Sequence, residues 1–220
     1  MDSDDILDTD ALKYLINESR KNKLDVLYFD GEAFYEDDNL AREYPSYKRA
    51  YIRHKEYSKT VSGNKLFNEM LIDGCYYVLV CLQLIRKEHL LEEEIFFPED
   101  FLYEDNVFCA KAMLMAKRVS HRKKRFFKRR VRKYSTVTGI SPYGKFINYF
   151  RCCWAMVAFL NSKDFDDVTL SAIQKELDMM LRAIRANYRK PSFDDIKNYK
   201  EMTFMEKTLF ESFLLPTIKR

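Results

Sequence analysis

The sequence of 220 residues is poor in glycine, proline and histidine, with 5, 5 and 3 copies respectively. So few glycines and prolines exclude collagen-like, linker-like and low-complexity chains. Neither GxGxxG nor GxxxxGK[ST] occurs, so the two commonest nucleotide-binding loops are missing. Hydrophobic residues make up 47% and charged residues 33% of the chain. This balance is typical of a globular protein and excludes wholesale disorder.

The five cysteines form no CxxC pair, and most stand in apolar stretches. They are predicted to be buried thiols of a reducing compartment rather than a disulfide framework or zinc ligands. The N-terminus is acidic, unlike a signal peptide. The most apolar run, Phe146–Leu160, is too short to span a bilayer and contains Arg151. We therefore expect a cytoplasmic protein, with the inner face of the membrane as its one alternative location.

One charge run stands out. Residues 117–133 contain 11 Lys or Arg and no acid, whereas the rest of the chain has 27 basic and 34 acidic residues. A run of this kind favours a phosphate ligand, in nucleic acid, anionic lipid or a diphosphate. The alternative is a solvated surface strand with its turn.

Hydrophobic spacing predicts a mixed α/β arrangement for the first 140 residues. The predicted elements are a helix over 11–21 capped by Asp8-Thr9-Asp10, a strand over Asp25–Phe29 ended by Asp30-Gly31, a polar Tyr-rich surface insertion to about Ser62, a helix over Gly63–Ile72, a strand or strand-then-helix over Tyr76–Ile85, a helix opening near Tyr103, and two short strands at Val119 and Phe126-Phe127.

After Gly139 the pattern becomes helical throughout, with helices predicted over 143–160, 167–187 and about 199–214. The break near residue 140 is therefore the best domain boundary. In the first of these helices an aromatic face is expected to pack on the α/β part or, alternatively, against a membrane surface. That face consists of Phe146, Tyr149, Phe150 and Trp154.

Three groups of residues are candidates for a site. Asp2-Ser3-Asp4-Asp5 is a DxD pattern, whose paired carboxylates suit a hard divalent cation and a nucleotide diphosphate; an acidic tail is the alternative. Glu104-Asp105 opens a helix, where a carboxylate serves either as a general base or as a cap. Arginines hold phosphate oxygens through bidentate contacts, and a hydroxyl adds a further one. The residues of this third group are Arg130, Arg132 and Ser135.

Taken in order, these pieces resemble the C-terminal half of a family 2 glycosyltransferase of the GT-A fold, beginning at its DxD motif, in the branch found in bacterial surface-polysaccharide clusters. The matching segments are Asp2–Asp5, Asp25–Gly31, Leu82–Arg86 with Leu90 and Phe96-Phe97, Tyr103–Phe108, Ala116–Val119, and Arg130–Arg132 with Ser135 and Thr138. The resemblance implies a partial, Rossmann-like GT-A sheet lacking its N-terminal strands. Residues 1–140 would be the part of the glycosyltransferase domain that binds the metal, the diphosphate and the acceptor, and residues 141–220 would be a helical subdomain.

The resemblance also implies an activity. A sugar would pass with inversion from a nucleotide-sugar donor to a hydroxyl of a glycan or lipid-linked acceptor, in cell-surface polysaccharide biosynthesis. The implied roles are binding of Mn²⁺ or Mg²⁺ and the donor diphosphate by Asp2 and Asp4, general base catalysis by Asp105 with Glu104 beside it, and binding of the leaving diphosphate by Arg130, Arg132 and Ser135.

In such enzymes the nucleotide is bound by strands and loops that precede the DxD motif, which here begins at residue 2. The expectation is therefore a glycosyltransferase or a truncated fragment of one, in which exposed apolar surface favours a homodimer or peripheral membrane association. The main alternative is a non-enzymatic module that uses residues 117–133 for nucleic acid or anionic membrane. Nucleic acid is disfavoured because it leaves the acidic motifs unexplained. A third alternative is an interaction protein that keeps only the fold.

Overall fold

The structure is a computed structural model that describes residues 3–99, 101–132, 140–199 and 201–214. These residues form two compact units. The first draws on Met1–Glu99, Glu104–Ser135 and Phe165–Ile173, and the second on Asp100–Tyr103, Thr136–Asp164 and Gln174–Arg220. The assignment of 1–140 and 141–220 to a glycosyltransferase half and a helical subdomain stays a prediction.

The first unit is built on a four-stranded mixed sheet. Its strands are β1 (Ile6–Leu7), β2 (Val26–Tyr35), β3 (Gln83–Ile85) and β4 (Val119–Val131). The order is β1-β4-β2-β3; β2 and β4 run parallel, whereas β1 and β3 are antiparallel to their neighbours. The expected α/β class and the expected place of the Val26–Phe29 segment inside a sheet are both confirmed.

The expected turn at Asp30-Gly31 is wrong, because β2 continues through both residues to Tyr35. Pairing with β4 shifts register on either side of Asp30 instead of ending there. The glycine is needed for close approach, since a Cβ at Gly31 would lie 2.7 Å from the Phe127 carbonyl oxygen. A glycine that resembles a turn signal here lets two central strands meet.

The two short strands expected near Val119 and Phe126-Phe127 are also wrong, because they form the single 13-residue strand β4. The charges between them do not break the strand. Burial changes along the strand instead: Val119–His121 at its start and Phe127 and Val131 towards its end are buried, while the charged residues 123–125 between them are exposed.

Among the described residues, five α-helices belong to the first unit, and a sixth begins in it and continues into the second unit. Their bounds are α1 (Ala11–Asn22), α2 (Asp38–Glu43), α3 (Gly63–Ile72), α4 (Lys87–Glu92), α5 (Asp105–Leu114) and α7 (Asp167–Asn187), with 3₁₀ turns at Pro45–Lys48 and Val80–Leu82. The α3 and α7 bounds agree with those expected from the sequence. Leu15 of α1 packs with Leu27 of β2 and Phe127 of β4 in one core cluster.

The supposed surface insertion before Ser62 is anchored by a buried polar network, so the expectation that it lies over the surface is wrong at this point. The Arg53 guanidinium donates to Asp30 Oδ1 at 3.1 Å, and both side chains are at most 1% exposed. His121 Nε2 lies 3.0 Å from the same oxygen, while its Nδ1 accepts from the Tyr57 amide. That amide contact leaves the His121 proton on Nε2, and burial lowers the pKa of this imidazole.

The second unit is helical. It contains α6 (Pro142–Asn161), the C-terminal part of α7, α8 (Phe193–Asn198), α9 (Phe204–Leu209) and a π-helical turn over Phe210–Leu214. The helix expected over about 199–214 ends as expected but begins later, at Phe204, where Thr203 caps it. Phe146 and Phe150 of α6 pack on Phe210, as a buried aromatic face requires.

Trp154 departs from that aromatic face, because it is 47% exposed. Its expected burial is therefore wrong. Four of the five cysteines are buried, as expected, and Cys81 is half-buried. Among the helices of the described ranges, none has the length and apolar character needed to cross a bilayer.

Candidate functional site

A cleft of about 320 Å³ lies within the first unit. We call it the acidic cleft and define it by its lining, which is Asp5, Leu79, Val80, Cys81, Phe97, Glu104, Asp105 and Arg129. One wall is apolar: Phe97 is 44% exposed and stacks at 3.9 Å on the buried Phe108 ring behind it. Three carboxylates and one guanidinium face that wall, a set able to meet a cation, a phosphate and a hydroxyl together.

The N-terminal acidic segment is fixed to the end of β4. The backbone N–H of Arg130 donates to Asp5 Oδ1 at 3.0 Å, and Arg132 Nε donates to Asp4 Oδ2 at 2.6 Å. The Arg132 hydrogen bond lowers the pKa of Asp4, so this carboxyl stays ionised. Residues more than 120 positions apart thus meet, but Asp4, Arg130 and Arg132 are not among the described residues that line the acidic cleft. Asp2 and Ser135 lie outside the described residues.

Strand alternation decides which arginine reaches the acidic cleft. Arg129 shares the inward side of β4 with Phe127 and Val131, which are buried. The Arg130 side chain points the other way and pairs with Glu36 at 2.6 Å. Arg129 is not among the residues predicted from the sequence, although its two-residue spacing from Phe127 and Val131 is a signal that identifies it.

Glu104 and Asp105 stand at the start of α5, both half-buried and both lining the acidic cleft. Glu104 occupies the cap position but makes no side-chain capping hydrogen bond. Asp105 lies in the first turn, where the helix dipole favours a negative charge. The capping alternative therefore fails for Glu104, whose carboxylate is directed at the cleft.

The state of the Cys81 thiol limits the kinds of catalysis that are available in the acidic cleft. Burial raises the pKa of the Cys81 thiol to about 12, with Asp5 adding to the effect and Arg129 opposing it. A thiol in this state supplies no nucleophile near neutral pH. The carboxylates of the same cleft are of the residue type that serves as a general base.

The described residues supply only part of the ligand set that a metal ion needs. Across the described ranges no group of three or more His, Cys, Asp or Glu side chains is arranged to hold one. Asp5 offers hard oxygen donors in the cleft, and Mg²⁺ commonly takes one or two carboxylates together with substrate phosphates. The donor set therefore fits a cation shared with a diphosphate, and does not fit a self-contained metal centre.

Part of the basic run 117–133 is neutralised within the fold, while Lys117, Lys123 and Lys124 form no ion pair with any described carboxylate. Carboxylates from other elements contact the paired cations. These pairs are Arg122 with Glu18 at 2.8 Å, Lys128 with Asp8 at 3.0 Å, Arg130 with Glu36 at 2.6 Å and Arg132 with Asp4 at 2.6 Å. Paired charges are poor contacts for phosphates, so the paired part of β4 favours the alternative of a solvated surface strand.

Comparison with known proteins bears on the fold. Neither a protein-family model nor a curated protein matches the sequence. Among solved structures, S. aureus TarS 1-349 in complex with UDP-GlcNAc is similar, with a TM-score of 0.52 at 16% identity, covering 85% of this chain and 46% of that one. Two further structures of the same TarS segment, one with UDP, give TM-scores of 0.49 at 15% and 17% identity, covering 96% and 94% of this chain and 52% and 50% of theirs.

This chain therefore spans about half the length of the TarS segment. At such low identity the likeness concerns the fold alone. TarS is a GT-A-type glycosyltransferase, and the likeness to its complex covers 85% of this chain. The chain has a partial glycosyltransferase fold of the GT-A type.

Proposed function

We propose that this chain is the diphosphate and acceptor side of an inverting glycosyltransferase acting in cell-surface polysaccharide biosynthesis. The donor is a nucleotide sugar, with UDP-GlcNAc, the ligand in the TarS structure, as the first candidate. The acceptor is a hydroxyl of a glycan or lipid-linked glycan. One observation carries the proposal: on a GT-A-type fold, Asp105, Glu104, Asp5 and Arg129 line one cleft.

In this proposal Asp105 is the general base. It takes the proton of the acceptor hydroxyl as that oxygen attacks the anomeric carbon, while the bond to the diphosphate breaks on the opposite face. Glu104 orients Asp105 or the acceptor. Phe97 offers an exposed ring face as an apolar wall for the sugar or the acceptor.

The leaving diphosphate would be held by Arg129 from within the acidic cleft. Arg130 and Arg132 support this end through their contacts with Asp5 and Asp4, and Ser135 keeps the phosphate role that the resemblance implies. A bound Mn²⁺ or Mg²⁺ would neutralise charge on the diphosphate, with Asp5 as a described ligand and Asp2 and Asp4 as ligands implied by the resemblance. Cations around a leaving phosphate stabilise the charge that develops on it.

The proposal is tested on the full chain with UDP, UDP-GlcNAc and Mn²⁺. Calorimetry should show Mn²⁺-dependent binding of UDP, weakened by roughly tenfold or more in Arg129→Gln because one charge-assisted contact is lost. Arg125→Gln is the matched control, since it removes an exposed arginine from the same strand, outside the cleft. Its affinity should stay within about twofold of the unmodified chain.

The second readout is the rate at which UDP is released from UDP-GlcNAc when the sugar is transferred to water or to an added acceptor. Asp105→Asn should lower this rate by about 10²- to 10⁴-fold, the usual contribution of a general base, while UDP binding is retained. The proposal is overturned if the unmodified chain binds no UDP with Mn²⁺, or if Asp105→Asn turns over at the unmodified rate.

A further inference from the structure

A second and larger cleft, of about 940 Å³, lies in the first unit at the end of the sheet where β2 and β4 begin. We call it the basic cleft. Its cations are Arg20, Lys23, Arg86, Lys87, Lys117 and Arg118, and its carboxylates are Asp25 and Glu88. Ten residues of β4 separate Val119 at this end from Arg129, or about 30 Å of extended chain. The basic cleft is therefore separate from the acidic cleft.

Asp25, the buried carboxylate of the basic cleft, is fully engaged by groups beside it. Its Oδ1 accepts from the Arg86 guanidinium at 2.9 Å, and its Oδ2 accepts from the backbone N–H groups of Lys117 and Arg118 at 2.9 Å each. Burial acts to raise the pKa of Asp25, but these hydrogen bonds outweigh it and the pKa is lowered. Asp25 thus neutralises Arg86 and leaves the remaining cations without this counter-charge.

Those remaining cations contrast with the paired cations of β4. The Arg118 guanidinium donates to the backbone carbonyls of Asn22 and Lys23, at 2.8 and 3.1 Å, so it is held in place without losing its charge. Four further cations make no ion pair with a carboxylate anywhere in the described part of the chain. They are Arg20, Lys23, Lys87 and Lys117.

An apolar ledge continues from the basic cleft along α1. Ile16 lines the cleft and is 37% exposed, and Leu12, one turn earlier, is 51% exposed. Arg20 lies one turn after Ile16, so the three side chains share one face of the helix. The opposite face of α1, with Ala11 and Leu15, is buried in the core. Exposed aliphatic groups thus stand directly beside uncompensated cations.

We propose that this face docks on an anionic lipid bilayer, with headgroup phosphates in the basic cleft and the Leu12–Ile16 ledge at the acyl boundary. Cations beside exposed aliphatic side chains on one helix face match the two parts of such a surface. Nucleic acid fits less well, because no aromatic residue able to stack on a base is found among the described residues that line this cleft. The inference does not depend on the glycosyltransferase proposal.

The test is co-sedimentation of the full chain with vesicles of phosphatidylcholine, either alone or mixed with about 30% phosphatidylglycerol. Binding is expected only with phosphatidylglycerol, and it should fall as salt rises. Each basic residue near such a surface contributes about fivefold to partitioning, so Arg20→Gln/Lys23→Gln/Lys117→Gln should lose on the order of 100-fold. Leu12→Ser/Ile16→Ser should lose roughly tenfold, because aliphatic area no longer leaves water.

Lys48→Gln/Lys65→Gln/Lys124→Gln is the matched control. It removes three exposed lysines that lie outside the basic cleft, so it changes net charge equally and should lose less than about fivefold. Asp105→Asn should bind vesicles like the unmodified chain, which separates this test from the glycosyltransferase test. Circular dichroism confirms that each variant is folded.

Three results would overturn the docking proposal. They are no binding to phosphatidylglycerol vesicles, an equal loss in the control variant, and binding of a DNA oligonucleotide or inorganic pyrophosphate that the cleft variant abolishes while vesicle binding is unaffected.

Discussion

The Arg53–Asp30 pair gives the sharpest stability prediction. Arg53 is 1% exposed and donates to three acceptors besides its own backbone contact: Asp30 Oδ1 at 3.1 Å, the Phe29 carbonyl at 3.0 Å and the Cys75 carbonyl at 3.1 Å. Arg53→Met preserves much of the volume and deletes all three hydrogen bonds. It leaves Asp30, which is 0% exposed, with a buried charge that only His121 and one amide contact.

Removing one member of a buried ion pair costs about 3–5 kcal/mol, because the other charge remains without compensation. We therefore expect Arg53→Met to lower the free energy of unfolding by that amount, measured by urea denaturation at neutral pH with an unchanged m-value. Arg125→Met is the control: its guanidinium is 56% exposed and 4.0 Å from Glu32, so its loss should cost less than about 1 kcal/mol.

A double variant tests the physical cause. In Arg53→Met/Asp30→Asn the buried charge is gone, while the amide oxygen still accepts from His121 Nε2. This variant should be more stable than Arg53→Met alone, with a coupling of about 1–3 kcal/mol. The reasoning is refuted if Arg53→Met costs no more than Arg125→Met, or if the two substitutions are simply additive.

Two further predictions concern stability. Burial raises the pKa of Glu176 to about 7, and its Oε2 has no partner among the described residues. The folded state therefore keeps a proton that the unfolded state loses near pH 4.5, so the free energy of unfolding falls as the pH rises from about 4.5 to 7. Glu176→Gln removes this titration. It should raise the free energy of unfolding by roughly 3 kcal/mol at pH 8 and change it little at pH 4, as measured by urea denaturation at both pH values. A Cβ at Gly63 would lie 1.6 Å from the Met113 carbonyl oxygen, so Gly63→Ala should lower the free energy of unfolding by about 3 kcal/mol, measured by thermal unfolding. Gly74→Ala is strained at φ 64° but enters open space, so it should lower that free energy by only about 1 kcal/mol. Equal losses of stability in the two variants would contradict the steric reason.

Local patterns were sufficient for several elements of the fold. α3 begins at Gly63 after Ser62, whose side chain caps it, and ends at Ile72 as its apolar spacing predicts. α7 likewise follows its apolar periodicity from Asp167 to Asn187. In both helices the signals are contained within the segment itself, so no distant contact is needed to find them.

The strand β4 and its arginines could not be predicted in this way. Its charges are tolerated because carboxylates distant in sequence meet them, such as Glu18 for Arg122 and Glu36 for Arg130. Asp30-Gly31 resembles a turn until Arg53 and His121 are seen to hold the aspartate inside the sheet. The choice of Arg129 over Arg130 for the acidic cleft follows from strand register, which depends on pairing with β1 and β2.

The most direct test of the central claim is a crystal structure of the full chain with UDP-GlcNAc and Mn²⁺. The account predicts the diphosphate in the acidic cleft, within hydrogen-bond distance of the Arg129 guanidinium. It places the anomeric carbon on the side of Asp105, with Asp5 next to the metal. A diphosphate bound in the basic cleft near Arg118, or on the Arg130 side of β4, would contradict the assignment of the acidic cleft as the site of glycosyl transfer.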